Sequence, residues 1–224
     1  EDGKLLLMDA GAENLMNYSS DNTRTFPVNG KFTPKQKAIY EIVLKANVEG
    51  INACKPGIRY REIHKLAMTI ITDGLKSLGL MKGDTEAAVE AGATALFMPH
   101  GLGHQMGLDV HDMEDLGENY VGYDDTIQRS KIFGWSSLRM AKELRPGHVL
   151  TVEPGIYFVP HLIDIWKNEK KFEEYINYDK VEEYRDFGGI RIEDDVLITE
   201  TGHRILGPAI PKTAEELENF IGRE

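Results

Sequence analysis

The sequence predicts an α+β fold, with strands near both ends of the chain and helices in the middle. Strand-like segments lie at 5–27, 149–158 and 188–199, and each carries isolated acidic residues. Residues 33–53 and 60–80 carry apolar side chains at helical spacing. The chain has 224 residues and 41% hydrophobic content, which is enough for one sizeable core and would be unusual for two.

Two aspartates mark the first strand pair. An apolar run ends on Asp9, and a second strand-like stretch carries Asp21 into Thr-Arg-Thr-Phe. A strand there would bring the Asp9 carboxylate to a sheet edge or into a cleft, because a buried, unpaired carboxylate is costly. Either aspartate alone could instead be a turn residue or an N-cap, which are common places for Asp.

The helical middle is predicted to back the sheet. Its first helix has an N-cap signal at Thr33, and its second carries His64, which we interpret as a helix-surface residue rather than a ligand. A shorter helix is predicted within residues 84–97. Residues 113–136 look like a long loop, and the charged run 167–186 is typical of a solvated helix with one buried stripe.

Three of the seven histidines, His100, His104 and His111, lie within twelve residues. Neutral imidazole is a good ligand for Mn, Fe, Co and Zn, and a second imidazole nearby can move protons near neutral pH. We therefore favour metal binding or acid–base chemistry over core packing. The glycines at 101, 103 and 107 miss the dinucleotide-binding spacing by one residue, and we interpret them as room for close backbone approach.

Two later strands each contain one glutamate, Glu153 and Glu193, between apolar residues. Alternation turns both glutamates to the face opposite their apolar neighbours, and a solvent-exposed sheet face is the simple alternative. Taken with the aspartates and histidine, however, they give a set of four carboxylates and one imidazole. That set is too rich in oxygen for a typical structural zinc site and suits paired harder cations, Mn²⁺ first.

Five motifs follow one another along the chain in a specific order. They are Asp9, Asp21-Asn-Thr-Arg-Thr, His100-Gly-Leu-Gly-His104, Thr-Val-Glu153-Pro-Gly and Arg-Ile-Glu193-Asp-Asp. In this order the chain resembles the pita-bread metallopeptidases, the family of aminopeptidase P, prolidase, methionine aminopeptidase and the creatinases. The resemblance runs from about residue 5 to the C-terminus. It implies a curved antiparallel sheet backed by helices.

The resemblance also implies a site for two divalent metal ions. Asp9 and Asp21 would hold one ion, His104 and Glu153 would complete the other, and Asp21 and Glu193 would bridge the two. Mn²⁺ is the expected metal, with Co²⁺ or Zn²⁺ as alternatives. A water between the ions would be the nucleophile in peptide hydrolysis.

Further roles follow from the same resemblance. His100 and His111 match positions that contact the substrate or pass protons to the leaving proline nitrogen, and Arg191 matches a cation close to the bridging Glu193. Glu153 or Glu193 could serve as general base for the attacking water.

Arg139 bears on the choice between family members. It falls where prolidases have an arginine that grips the free carboxylate of a dipeptide, which a guanidinium can bind bidentately. A surface helix arginine is the alternative. With the long charged insertion before Phe-Gly-Gly-Ile-Arg, this position favours an Xaa-Pro dipeptidase over aminopeptidase P, which acts on longer Xaa-Pro peptides. We expect residues 113–136 and 167–186 to flank the cleft and limit substrate length.

Other readings of the resemblance fit less well. Methionine aminopeptidase lacks such insertions, and creatinase shares the fold without keeping the metals. A hypothesis from a different class is a metal-free binding module on the same fold. The complete set of predicted ligands argues against that module.

Relatives in this family carry an N-terminal domain and further catalytic elements upstream. We therefore expect residues 1–224 to form a single catalytic domain that lacks its first elements and the upstream domain. Asp9 and Asp21 lie twelve residues apart, one more than in the commonest members of the family. This spacing predicts a bulge or a longer turn between the first two strands.

Composition limits the partners. A net charge of −11 argues against nucleic acid, since phosphate binding needs a basic patch. Cys54 is the only cysteine, so no internal disulfide is possible and a reducing compartment, the cytoplasm, is the expected location. No segment reaches the length of a membrane span, so no membrane partner is expected. The expected partners are an Xaa-Pro dipeptide or short peptide and, as in many relatives, a second copy in a homodimer.

Overall fold

A computed structural model describes residues 1–221. The strands are β1 (Leu5–Ala10), β2 (Asn22–Pro27), β3 (Val149–Val152), β4 (Gly155–Tyr157), β5 (Gly189–Arg191), β6 (Asp194–Ile198) and β7 (His203–Ile205). The helices are α1 (Pro34–Ala53), α2 (Tyr60–Ser77), α3 (Thr85–Ala91), α4 (Glu118–Val121), α5 (Pro160–Asn168), α6 (Tyr178–Glu182) and α7 (Ala214–Ile221). Short 3₁₀ turns lie at Ala93–Leu96, Glu114–Leu116 and Trp135–Ser137.

Every strand pair in the described residues is antiparallel. β1 pairs with β2, β4 pairs with β5, and β6 lies between β3 and β7. In the β3–β6 ladder Val152 lies opposite Asp194, and in the β4–β5 ladder Gly155 lies opposite Arg191. Glu153 therefore lies in the short gap between β3 and β4, and Glu193 lies in the gap between β5 and β6. Neither glutamate is inside a regular strand. The connection between β1 and β2 spans residues 11–21.

Helix α1 begins with a complete capping box. The Thr33 hydroxyl accepts from the Gln36 N–H at 3.2 Å, and the Gln36 side chain accepts from the Thr33 N–H at 2.9 Å. These bonds satisfy donors that a helix N-terminus leaves open, and the predicted N-cap at Thr33 is confirmed. The apolar face of α1 packs against α2 and against the sheet. The helix pair thus backs the strands that carry the acidic residues.

The prediction that His64 lies on a helix surface is wrong. Helix α2 packs against α1, α3 and the turn at Ala93–Leu96, so little of it faces solvent. His64 is 0% exposed, and its ring meets the ring of Trp135 edge to face with centroids 5.0 Å apart. Helical periodicity could not show this contact, because Trp135 comes from a distant loop.

The charged run 167–186 is not one helix. Helix α5 ends at Asn168, and α6 starts only at Tyr178. Lys170 and Phe172 between them have left-handed backbones, with φ of 52° and 54°, which a right-handed helix cannot accommodate. The bend brings the Phe172 ring to 5.5 Å from the Trp166 ring, so aromatic packing replaces helical continuity. The predicted long loop at 113–136 is irregular apart from α4, the 3₁₀ turn at Glu114–Leu116 and the start of the turn at Trp135–Ser137.

Within residues 1–221, none of the helices combines the length and the apolar character needed to cross a membrane.

Candidate metal centre and cavity

Asp21, His104 and Glu193 converge into a group of potential metal ligands. One ligand atom from each lies within 4.8 Å of the others. His104 Nε2 is 3.5 Å from Asp21 Oδ2 and also 3.5 Å from Glu153 Oε1. Carboxylate oxygens and an imidazole nitrogen at these separations can surround a divalent cation.

Backbone hydrogen bonds hold the segments that carry these residues side by side. The N–H groups of Thr151, Glu153 and Glu193 donate to the carbonyls of His104, Leu102 and Thr23 at 3.0, 2.8 and 3.0 Å. The approach at Gly103 is so close that a Cβ there would lie 2.1 Å from the Thr151 carbonyl oxygen. The interpretation of the glycine-rich motif as room for backbone approach is therefore confirmed at this position.

The orientation of His104 suits a metal ligand. Its Nδ1 lies 3.1 Å from the carbonyl oxygen of Gln105, an acceptor that assigns the ring proton to Nδ1. The lone pair of Nε2 then faces Asp21 and Glu153. Burial disfavours a protonated ring, but Asp21 and Glu153 outweigh it and raise the pKa of His104. Burial on its own would raise the pKa of Asp21. The hydrogen bond and the charge of His104 outweigh burial and hold the pKa of that carboxyl below its ordinary value.

Two buried glutamates create an excess of negative charge. Burial and then the charge of Glu193 raise the pKa of Glu153 to about 8. Burial, with the Asp21 charge adding to it, raises the pKa of Glu193 to about 8 as well. Glu193 Oε1 is also buried with no hydrogen-bond partner among residues 1–221. A buried carboxylate oxygen without a donor, facing other acids and an imidazole, is what a bound divalent cation would satisfy.

Asp9 lies at the rim of this group. Its side chain is about half exposed, and its carboxylate forms an ion pair with Nη2 of Arg191. The Nε atom of Arg191 is also 3.9 Å from one oxygen of Glu153 and 3.9 Å from one of Glu193. Arg191 therefore contributes a positive charge next to three of the predicted ligands.

His100 is held in a defined tautomer beside the acids. Its Nδ1 lies 2.7 Å from the carbonyl oxygen of Gly101, and its Nε2 is 3.0 Å from the hydroxyl of Tyr157. The carbonyl can only accept, so Nδ1 carries the proton and Nε2 accepts from Tyr157. Burial lowers the pKa of His100 to about 4, with Arg191 adding to the effect, so this ring is neutral at pH 7.

His111 packs against His104, one of the potential metal ligands. Its ring packs edge to face on the His104 ring, with centroids 4.4 Å apart. Its Nδ1 accepts from Nη1 of Arg139 at 3.2 Å, which leaves the ring proton on Nε2. Burial and the neighbouring His104 lower the pKa of His111, so it too is neutral near pH 7.

All nine residues predicted to form the site line one cavity of about 620 Å³. They are Asp9, Asp21, His100, His104, His111, Arg139, Glu153, Arg191 and Glu193. Glu118, Arg129, Ser136 and Ser137 complete its outer wall. The expectation that two insertions flank the cleft thus holds for residues 113–136. It is wrong for residues 167–186, which contribute none of the lining side chains found in the described part of the chain, because that run packs on Trp166 instead.

Comparison with known proteins identifies the family. Among models of protein-family sequences, the one that describes metallopeptidase family M24 matches residues 1–200. The chain belongs to metallopeptidase family M24. It is 42% identical over 218 residues to human Xaa-Pro dipeptidase, an alignment that covers 97% of this chain and 42% of the relative. It is 44% identical over 221 residues to a probable Xaa-Pro aminopeptidase of Podospora anserina, covering 98% of this chain and 46% of the relative.

Solved structures of M24 relatives share the fold. Zinc-substituted Escherichia coli aminopeptidase P in complex with product aligns with a TM-score of 0.77 and 37% identity, covering 100% of this chain and 43% of that one. Proline aminopeptidase P II from Yersinia pestis aligns with a TM-score of 0.76 and 38% identity, covering 99% and 42%. The predicted α+β pita-bread fold is therefore confirmed. The chain spans a little under half the length of these M24 relatives.

M24 membership implies divalent metal ions, and the donor set here fits them. Three residues that contact the predicted site residues escaped prediction from the sequence: Thr23, Tyr157 and Asp195. The Thr23 hydroxyl bonds to Glu193 at 2.6 Å, and Asp195 Oδ2 accepts from the Asp21 N–H at 3.1 Å. Tyr157 joins His100 to Arg191, whose Nη1 donates to its hydroxyl at 3.2 Å. Thr23 and Asp195 lie inside the ligand motifs and Tyr157 lies two residues after one, which is the sequence signal that could have pointed to them.

Proposed function

We propose that this chain is a catalytic domain that hydrolyses the peptide bond before proline, and that it acts as an Xaa-Pro dipeptidase. One observation carries the proposal: a carboxylate–imidazole group and the guanidinium of Arg139 line the same cavity. The first feature suits metal-assisted hydrolysis, and the second suits a free carboxylate at the end of a short substrate. M24 relatives named Xaa-Pro dipeptidase and Xaa-Pro aminopeptidase support the reaction class.

The residues that would hold two divalent ions in this proposal are Asp9, Asp21, His104, Glu153 and Glu193. Mn²⁺ is our proposed metal, because the set is mainly carboxylate oxygen. When bound, such ions lower the pKa of water and polarise the scissile carbonyl, which provides a nucleophile near neutral pH. Arg191, paired with Asp9 and near Glu153 and Glu193, limits the repulsion among the ligands.

The remaining groups are proposed to orient the substrate and handle protons. Glu153 or Glu193 can take a proton from the attacking water and pass it on. Because Nδ1 of His111 accepts from Arg139, its Nε2–H has no partner among residues 1–221, and we propose that it donates to a substrate carbonyl or lies near the leaving proline nitrogen. His100 is fixed by Gly101 and Tyr157, and we propose that it shapes the substrate site rather than serving as an acid.

The choice between dipeptidase and aminopeptidase P depends on Arg139. A guanidinium in the cavity wall favours binding of a substrate that ends after proline, because the guanidinium pairs with the terminal carboxylate of that substrate. A longer Xaa-Pro peptide places an amide there instead. Aminopeptidase P therefore remains the second candidate, supported by the aligned aminopeptidase P structures from Escherichia coli and Yersinia pestis. A metal-free binding module is disfavoured by the complete set of ligand side chains around the cavity.

The decisive experiment compares Mn²⁺-dependent hydrolysis of Ala-Pro and Ala-Pro-Ala by the wild type and by Arg139→Ala. Selective cleavage of Ala-Pro that is lost in Arg139→Ala would establish the dipeptidase. Preference for Ala-Pro-Ala would make the protein an aminopeptidase P. The exposed Arg204→Ala on β7 is the matched control for loss of one arginine. Failure to cleave either peptide when a titration shows bound Mn²⁺ would refute peptidase activity.

The proposed partners follow from this reaction. They are an Xaa-Pro dipeptide or short peptide and, as the sequence predicts, a second copy of the chain in a homodimer. We keep the cytoplasm as the proposed location, which suits a chain whose one cysteine, Cys54, is buried. Light scattering of the purified protein at two concentrations tests the dimer.

A further inference from the structure

Arg139 is itself held by a carboxylate. Its Nη1 forms an ion pair with Oε2 of Glu114 and donates to His111 Nδ1 at 3.2 Å. Glu118 approaches the same Nη1, with one of its oxygens at 3.9 Å. Within residues 1–221, all hydrogen bonds and ion pairs of this guanidinium are made by Nη1. The edge formed by Nε and Nη2 is therefore left to a ligand, and a planar carboxylate can bind that edge with two hydrogen bonds.

Glu114 lies behind Arg139 rather than in the cavity. The Glu114 side chain is 13% exposed, whereas the Arg139 side chain is 37% exposed. Arg139 belongs to the cavity wall, and Glu114 does not. A carboxylate in this position does not occupy the space of a substrate carboxylate. It instead fixes the far side of the guanidinium.

The backbone places Glu114 for this contact. The N–H of Glu114 donates to the carbonyl of His111 at 3.3 Å, and Met113 between them has a left-handed φ of 59°. This turn directs two side chains three residues apart, His111 and Glu114, onto one atom of Arg139. An arginine side chain loses considerable rotamer freedom when it binds a ligand, and a guanidinium that is already held loses less.

We propose that Glu114 is a positioning residue, which holds Arg139 ready for the C-terminal carboxylate of a dipeptide and so favours dipeptides over longer substrates. The inference rests on the proposed Xaa-Pro peptidase function. Glu114 touches neither the substrate nor the reacting atoms. Its effect should therefore appear in the KM of substrates with a free carboxylate and not in kcat.

The test compares Ala-Pro with Ala-Pro amide, which lacks the terminal carboxylate, at saturating Mn²⁺. For Glu114→Ala we expect the KM of Ala-Pro to rise about tenfold while kcat changes little. The KM of the amide should stay at the wild-type value. Asp115→Asn is the matched control, because it removes the same charge from an exposed position in the same 3₁₀ turn. It should leave both substrates unchanged.

A double variant tests whether Glu114 acts through Arg139. Once Arg139→Ala is present, adding Glu114→Ala should raise the KM of Ala-Pro no further. A further rise in the double variant would overturn the inference. If Glu114→Ala fails to fold, Glu114→Gln, which keeps the size but not the charge, should show the same selective rise in KM.

Several other outcomes would overturn the proposal. A fall in the KM of Ala-Pro would show that Glu114 competes with the substrate. Equal losses on acid and amide would show a general structural role. Wild-type cleavage of the acid and the amide with equal KM would refute carboxylate recognition while leaving Xaa-Pro hydrolysis intact. Cleavage of neither substrate would refute the proposed function, and this inference with it.

Discussion

Thr23 and Glu193 are joined by a 2.6 Å hydrogen bond between the threonine hydroxyl and Glu193 Oε2. The same hydroxyl accepts from Nε of Arg191 at 3.1 Å. The bond leaves only Oε1 of Glu193 without a partner in the described part of the chain. Thr23 therefore fixes which oxygen of the carboxylate is presented to the site.

Replacing Thr23 should weaken metal binding. Thr23→Val keeps the shape but removes the donor to Glu193, and loss of such a supporting partner lowers metal affinity about 10- to 100-fold. Isothermal titration of chelator-treated protein with Mn²⁺ measures the change. Thr23→Ser, which keeps the hydroxyl, should bind Mn²⁺ within a few-fold of the wild type. Equal affinity of Thr23→Val and the wild type would show that Glu193 needs no such orientation.

Metal binding should release protons at pH 7. In the metal-free fold, burial and neighbouring negative charge raise the pKa of Glu153 and Glu193 to about 8, above the ordinary value of 4.5 that applies when the chain is unfolded. The folded chain therefore holds more protons than the unfolded chain between pH 4.5 and 8. The free energy of unfolding of metal-free protein should fall as pH rises through this window, and a cation should remove the effect.

Titrating Mn²⁺ at pH 7 in two buffers of different ionisation enthalpy measures the released protons. We expect net release from the wild type and less release from Glu153→Gln. The exposed Glu200→Gln serves as the matched control and should release as many protons as the wild type. Thermal unfolding should show a higher Tm with Mn²⁺ than with chelator. An identical heat in both buffers would contradict the raised pKa values.

His64 should make the protein sensitive to acid. Burial, with His100 and Arg61 adding to it, lowers the pKa of His64 to about 3, below its ordinary value of 6.5. As pH falls, the unfolded chain therefore protonates at His64 before the folded chain does. The free energy of unfolding should fall by about 1 kcal/mol per pH unit between pH 6.5 and pH 3. Both ring nitrogens also lack a hydrogen-bond partner among residues 1–221.

His64→Phe removes the titrating group while keeping a ring against Trp135. Urea unfolding at pH 7 and pH 4.5 should show that this variant loses less stability on acidification than the wild type. His161→Phe, on the exposed start of α5, is the control and should retain the wild-type pH dependence. Parallel losses in His64→Phe and the wild type would assign the acid sensitivity to other groups.

Lys212 should stabilise the sheet through Asp194, the residue that follows the predicted ligand Glu193. Its ammonium donates to Asp194 Oδ2 at 2.8 Å and to Asn47 Oδ1 at 2.9 Å, while Arg24 Nη2 bonds to the other oxygen of Asp194 at 2.6 Å. Lys212→Met leaves a buried carboxylate with one cation instead of two. We expect the free energy of unfolding to fall by about 2 kcal/mol in urea. The exposed Lys45→Met should change it by less than about 0.5 kcal/mol.

The sequence predicts the site better than its surroundings. Asp9, Asp21, His104, Glu153 and Glu193 could be found because each interrupts an apolar or glycine-rich segment that has no structural need for it. All five line the cavity, although their roles as ligands stay predictions. The ordered motifs also predict the fold, which the family match and the aligned structures confirm.

Errors arose where distant contacts decide the local structure. His64 is buried because Trp135 covers it, and helical periodicity says nothing about a loop seventy residues away. The run after α5 bends because Phe172 packs on Trp166, which charge patterning does not reveal. Tyr157 and Thr23 act through single hydroxyl groups whose partners are set only by the way the strands pair.

The five predicted ligands come from both ends of the chain, and this has a consequence for biosynthesis. Of these five, Asp9 and Asp21 leave the ribosome first, whereas Glu193 emerges after all the other residues that line the cavity in the described part of the chain. Strand β2, which begins directly after Asp21, accepts a hydrogen bond from the Glu193 N–H through the Thr23 carbonyl, so this contact cannot form before the Glu193 segment is synthesised. The proposed metal site is therefore expected to form only after residue 193 has been synthesised, and nascent chains that stop short of it carry the other four carboxylate and imidazole groups without Glu193.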